Sequence, residues 1–208
     1  MRAAQISGER EERTGARCRQ VLDAASVCFT EEGFHGTSMA RLAKAAGMSV
    51  GHIYHYFDSK EAIIAAIVQR ELVRQLEFFE ELTGKDDVLQ ALVDRADQGL
   101  ARRMDARQAG LRLEILAEAG RNPKIASALR AADEAFRRRF RDVIGAAIRR
   151  RGALKGPELE ARIEVVAGLF DGMMIRGVRN PGLDKEAALG ALRLAIRHLL
   201  TAAPELHR

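Results

Sequence analysis

The chain has 208 residues, 47% of them hydrophobic and 30% charged, with a formal net charge of +5. That length is enough for a sizeable buried core in one or two domains, and the composition is that of an ordinary soluble globular protein. The excess charge is spread out, since residues 1–60 hold 8 Lys and Arg against 7 Asp and Glu, so net charge alone is a weak argument for a nucleic-acid partner.

No apolar run approaches the roughly 20 residues that cross a bilayer, so no membrane partner is expected. The first residues, "MRAAQISGEREERTGAR", lack the apolar centre of a secretory signal, and a cytoplasmic address is the expectation. Cys18 and Cys28 stand ten positions apart on one expected helix, about 15 Å along its axis, which is too far for a disulfide. Four prolines, no tryptophan, and abundant Ala, Leu, Arg and Glu favour an all-helical chain.

In chain order, residues 1–13 are polar and aperiodic and read as a flexible arm. From Ala16, the spacing of Val21, Leu22, Ala25, Cys28 and Phe29 makes one helical stripe, closed by Gly33. Thr37 offers an N-cap for a short helix over 38–45, with Met39, Leu42 and Ala43 facing inward. Gly47 breaks that helix, and Ser49 caps a third that ends near Tyr56. Asp58 and Glu61 are spaced as a capping box for a long fourth helix, 58–82, striped by Ile63, Ile64, Ile67, Val68 and Leu72.

Further helices are expected over 86–104, 105–119, 123–151, 157–178 and 184–203. Pro123 and Pro157 suit first helical turns, and Gly152 and "NPG" at 180–182 suit ends. With nine helices and no credible strand, the fold class is all-α.

Both tyrosines of the chain, Tyr54 and Tyr56, interleave with His52 and His55 just after Gly47. Two short helices joined by a glycine-containing turn form a helix-turn-helix. On the third helix Ile53 and Phe57 point inward, while Gly51, His52 and His55 point away. That outward face lacks a carboxylate, so it can enter a major groove about 12 Å wide without repelling phosphates. His52 and His55 lack a third residue at ligand spacing, so no metal site is expected. Neither a Ser/His/Asp arrangement nor a phosphate loop is present, so no enzyme activity and no cofactor is expected.

The stretch "GFHGTSMARLAKAAGMSVGHIYHYFDSKEAIIAAI" resembles the DNA-binding signature of the tetracycline-repressor (TetR) family. The features that carry the resemblance are Gly33-Phe34, Thr37-Ser38-Met39, Ala43, Ala46-Gly47, Ser49, Gly51, Ile53-Tyr54, Tyr56-Phe57 and Lys60-Glu61. The resemblance implies that Val50, Gly51 and His52, following Ser49, meet base edges. It implies that Tyr54, Tyr56 and Lys60 hold phosphates, with hydroxyls from Thr37 and Ser38. His55 departs from the aromatic residue frequent there, and its role lies between packing and phosphate contact. The implied domains are the arm (1–13), a helix-turn-helix domain (14–60) and an effector-binding and dimerisation domain (61–208), with helix 58–82 connecting the last two.

The same resemblance implies a homodimer on a palindromic double-stranded operator, released by a small-molecule effector. An activator or an effector-independent regulator is the alternative. For the dimer, the expected residues are Ile163, Val166, Phe170, Met174, Leu192, Ile196 and Leu199. For an effector pocket they are Met104, Leu111, Ile115, Phe136, Phe140, Phe170 and Met173, although residues at that spacing are also plain core. The runs "RRRFR" at 137–141 and "RRR" at 149–151 read as a solvated helix face rather than a nucleic-acid patch.

Overall fold

A computed structural model describes the backbone of residues 2–150 and 156–202 and the side chains of 12–148 and 156–202. Among the described residues there are ten helices and no strand. They are α1 (Arg2–Gly36), α2 (Met39–Ala46), α3 (Val50–Tyr54), α4 (Lys60–Leu82) and α5 (Val88–Asp94), then α6 (Ala96–Met104), α7 (Ala106–Ala119), α8 (Pro123–Arg150), α9 (Pro157–Arg179) and α10 (Lys185–Thr201).

The helix count differs from the sequence expectation at one place. Residues 86–104 form two helices, because the backbone at Arg95 (φ −94°, ψ 10°) leaves helical geometry. Helix also runs through residues 2–13, where the sequence reads as an arm. Ala, Arg, Gln and Glu in that stretch are strong helix formers, so it extends α1 without needing an apolar stripe. Gly33 breaks α1 at φ 73° and ψ 167°, a conformation that a residue with a Cβ rarely adopts.

The chain divides into two compact units. One comprises residues 1–70 and 110–130, the other 71–109 and 131–208. The boundary therefore falls inside α4, α7 and α8 rather than at residue 60. In the first unit, α2 packs on α1 and α3. The predicted stripe of Val21, Leu22, Ala25, Cys28 and Phe29 is buried with Leu42, Ala43, Ile53, Phe57, Ile63 and Ile64.

The second unit has its own core, in which α9 packs on α6 and α10, and α10 on α5 and α6. Phe79 of α4 packs tilted against Phe136 and edge-on against Phe140 of α8, at ring-centre distances of 5.4 and 5.5 Å. Glycine permits one close approach in this unit: a Cβ at Gly99 would stand 2.9 Å from Cε1 of Phe170. Arg193 of α10 donates to the carbonyls of Val93 (3.2 Å) and Asp94 (2.6 Å), satisfying the C-terminal end of α5. No helix among the described residues is long and apolar enough to cross a membrane.

Candidate nucleic-acid interface

Local hydrogen bonding builds the two short helices and the turn between them. Ser38 is the N-cap of α2, its hydroxyl oxygen accepting from the Arg41 N–H at 3.1 Å. At the other end Gly47 takes the left-handed conformation (φ 61°, ψ 37°), and the N–H of Met48 donates to Ala43 O at 2.9 Å. A Cβ at Gly47 would meet nothing within 4 Å, so glycine is required there by backbone conformation rather than by space. The Gln20 amide donates to the Ala46 carbonyl at 2.7 Å, tying the end of α2 to α1. Ser49 then caps α3, accepting from His52 N–H at 3.1 Å.

This scaffold orients α3 as its sequence periodicity predicts. Ile53 is fully buried and Phe57 nearly so, while Val50, Gly51, His52, Tyr54 and His55 are exposed. Tyr54 keeps 48% of its surface accessible. Tyr56 is half-buried, its hydroxyl 3.2 Å from His52 Nε2, and its ring centre is 5.3 Å from that of His52 and 5.1 Å from that of His55. The α3 surface thus presents imidazole and phenol groups side by side.

Two residues expected to touch phosphate are placed otherwise. Thr37 has no accessible surface, and its hydroxyl faces the carbonyls of Cys28 (3.1 Å) and Gly33 (2.8 Å). It is a structural tie across the Gly33 break, and Ser38 rather than Thr37 caps α2. Lys60 donates from Nζ to the carbonyls of Phe34 (2.6 Å) and Thr37 (2.9 Å), with the ammonium 4.3 Å above the Phe34 ring. Two of its three donors therefore serve the chain's own backbone. The cap of α4 is also shifted from the expected Asp58 to Ser59, which accepts from Ala62 N–H at 3.2 Å. Glu61 stays in the first turn, its carboxyl held below the usual carboxylate range chiefly by a hydrogen bond to its own backbone N–H.

Sequence reasoning missed the α7 carboxylates that hold the end of α1. Glu114 accepts from Phe34 N–H at 2.6 Å. Glu118, only 2% exposed, stands 3.0 Å from both His35 Nε2 and Arg121 Nη2. Their i, i+4 spacing within the apolar "LRLEILAEA" was the available signal: two carboxylates on a helix face that is otherwise buried require partners.

Comparison with known proteins decides what this arrangement belongs to. Residues 21–67 match the family described as bacterial regulatory proteins of the TetR family, and residues 85–201 match the C-terminal region of BetI-type transcriptional repressors. The chain belongs to the TetR family of transcriptional regulators. Over 115 residues it is 36% identical to the HTH-type transcriptional regulator UidR of Escherichia coli K12. That match covers 53% of this chain and 56% of UidR, about half the length of this curated relative. The structure of Salmonella enterica GusR superposes with a TM-score of 0.75 at 28% identity, covering 89% of this chain and 95% of that one. FadR of Bacillus subtilis, solved in complex with stearoyl-CoA, shares the fold alone, with a TM-score of 0.73 and 20% identity over 90% of this chain and 99% of its own.

Within this TetR-family chain, the residues expected at the dimer face lie elsewhere. Ile163, Val166, Leu192 and Ile196 are buried in the second unit's own core, Phe170 and Leu199 pack against that core, and Met174 is buried too. The stripes left exposed are the opposite ones. On α9 these are Val165, Gly168, Gly172 and Ile175; on α10, Ala187, Gly190, Ala191 and Leu194, with Leu194 70% accessible. The sequence stripe was real, but periodicity alone does not say which apolar face a chain buries itself. Of the expected pocket residues, Met104, Phe136, Phe140, Phe170 and Met173 belong to the second unit's core and its margin. Leu111 and Ile115 are buried in the first unit, so the seven form no single lining within either unit.

Proposed function

We propose that this chain is a DNA-binding transcriptional repressor that reads a palindromic operator as a homodimer and is released by a small-molecule effector. The observation that carries the reading is the outward face of α3, where Val50, Gly51, His52, Tyr54 and His55 are exposed over a buried Ile53 and Phe57. Such a surface joins base-edge and phosphate chemistry: small and imidazole groups for the groove floor, phenol hydroxyls for its walls. Val50, Gly51 and His52 are the base-facing residues, Tyr54 and Tyr56 the phosphate-facing ones, and Ser38 and Ser49 combine capping with a hydroxyl proton still free to donate. The match of residues 85–201 to a repressor C-terminal region supports repression over activation.

A single copy of α3 reads few base pairs, whereas a two-fold dimer sets two reading heads about 34–36 Å apart, one turn of duplex. The exposed stripes of α9 and α10 support a second copy as the partner. Gly168, Gly172 and Gly190 each have open space where a Cβ would stand, so nothing inside the subunit requires glycine there. An interior helical glycine costs about 1 kcal/mol relative to alanine, a cost that close approach of another helix explains.

Release by an effector is a linkage between two states, with a coupling free energy typically about 1–3 kcal/mol. Helix α4 is the natural lever, since its first residues hold the α1 end through Lys60 and its last residues enter the second unit's core through Phe79 and Leu82. The decisive experiment is a titration of the purified chain with an operator-like palindrome and with random duplex. Tighter binding to the palindrome by at least the roughly thousandfold typical of specific sites supports the reading, and equal affinity sinks it.

A further inference from the structure

We infer that His52 reads an exocyclic base amino group, adenine N6 or cytosine N4, through an unprotonated Nδ1, and that Tyr56 enforces this tautomer. The inference rests on the DNA-binding reading above and names the chemistry that α3 selects.

His52 Nε2 lies 3.2 Å from the Tyr56 hydroxyl oxygen, and both side chains belong to the exposed surface of the helix-turn-helix. A neutral imidazole carries one N–H, so the bond at Nε2 decides what Nδ1 offers. If the Tyr56 hydroxyl donates to Nε2, then Nδ1 bears the proton and seeks an acceptor. If Nε2–H donates to Tyr56, then Nδ1 is a bare acceptor and seeks a donor.

The phenol has a single proton as well. A phosphate oxygen on duplex DNA only accepts, so a Tyr56 that holds phosphate commits its proton outward and turns a lone pair to His52. Nε2 must then carry the hydrogen, and the chain of donors runs from His52 to Tyr56 to phosphate. Nδ1 is left as an acceptor, with its lone pair available to a base. Among the described residues no hydrogen bond to His52 Nδ1 is found. In the major groove the donors are adenine N6–H and cytosine N4–H, whereas guanine presents O6 and N7 and thymine presents O4, all acceptors. The His52–Tyr56 side-chain contact therefore couples a sequence-blind contact to a sequence-specific one.

Packing holds the pair in place. The His52 and Tyr56 rings are 5.3 Å apart, and His55 meets Tyr56 edge-on at 5.1 Å and 75°. The Ser49 cap fixes the His52 backbone through its N–H. Beside it Gly51 is exposed, and a Cβ there would touch nothing in this chain, so the bare backbone leaves room for His52 to approach a base.

The test begins by enriching duplexes from a random-sequence library on the full-length chain at about pH 8, where imidazole is normally neutral. In the enriched duplex, each adenine is replaced by nebularine, which lacks the N6 amino group, and each cytosine by 2-pyrimidinone, which lacks the N4 amino group. One position per half-site is expected to lose about tenfold in affinity, as a single lost base contact implies. His52→Ala binds the parent duplex more weakly and is indifferent to that replacement; its side chain is exposed, and a melting curve checks that the fold is intact. Tyr56→Phe weakens binding to every sequence and, with the tautomer released, lets guanine compete at the same position. The inference is overturned if no amino-group replacement shows this dependence on His52. A library that enriches nothing overturns the DNA-binding reading itself, and enrichment without His52 dependence overturns only this inference.

Discussion

The ammonium of Lys60 sits 4.3 Å above the ring of Phe34 while donating to the carbonyl of that same residue at 2.6 Å. With its second bond to Thr37 O, Lys60 closes the segment in which α1 ends at Gly33 and α2 begins at Met39. Lys60→Met keeps most of the aliphatic stem and removes the donors. It is expected to lower stability by roughly 1–2 kcal/mol, at the low end for charged hydrogen bonds because water reaches the site. Urea denaturation measures it. A lysine that acted only on phosphate would leave the urea midpoint where it was.

Thr37 makes the opposite case, a hydroxyl with no access to any ligand. Thr37→Val preserves shape and deletes the proton shared by the Cys28 and Gly33 carbonyls. The expected loss is about 0.5–1.5 kcal/mol of stability, the range for one net intramolecular hydrogen bond, because the Gly33 carbonyl keeps the Thr37 N–H at 3.2 Å. DNA affinity of the folded variant is expected to stay within about twofold of the parent, a difference worth only about 0.4 kcal/mol. A uniform loss of affinity with unchanged stability would return Thr37 to the phosphate-contacting set.

Glu61 gives a pH signature. Its carboxyl is held low first by its own backbone N–H, then by Ser59, Asn122 and Lys124, against the opposing effect of burial. A carboxylate whose folded pKa lies below its unfolded one stabilises the fold above the unfolded value, and that contribution fades as pH falls through the folded value. The parent is therefore expected to exceed Glu61→Gln in urea midpoint near neutral pH, with the gap closing below about pH 4. A gap that persists or grows in acid contradicts the assignment.

The exposed helix faces predict opposite signs for two quantities. Gly168→Ala has room within the subunit, so helix propensity alone would stabilise the fold by about 1 kcal/mol. If a second copy lies close against α9, the same methyl group weakens association. Leu194→Glu, at a 70% exposed site, is expected to shift the particle toward monomer without unfolding it. Sedimentation equilibrium of both variants against the parent decides; an unchanged association constant in both removes α9 and α10 from the interface.

Much of the first unit was legible in the chain. The stripe from Val21 to Phe29, the turn at Gly47, the cap at Ser49 and the inward Ile53 and Phe57 all follow from spacing and cap chemistry, which are local rules. The hydrogen bonds of Thr37 and Lys60 are not legible in the sequence because their partners, the carbonyls of Cys28, Gly33, Phe34 and Thr37, are backbone groups that no side-chain pattern announces. Glu114 and Glu118 escaped notice because the α1 groups they hold, Phe34 N–H and His35, lie about 80 positions away in the chain. The split at Arg95 was missed because the apolar spacing runs through it unbroken.

By itself the sequence determined that the chain is built of amphipathic helices, and the spacing of Gly47, Ser49, Ile53 and Phe57 marked a helix-turn-helix that resembles the TetR type. These depend on neighbours within a turn or two of the chain. Only the tertiary structure decided which face of α9 and α10 is buried, which hydroxyl and ammonium groups are already engaged, and that His52 meets Tyr56. Those outcomes depend on where distant carbonyls and apolar surfaces come to rest, and burial and hydrogen-bond satisfaction are properties of the assembled fold rather than of any local stretch.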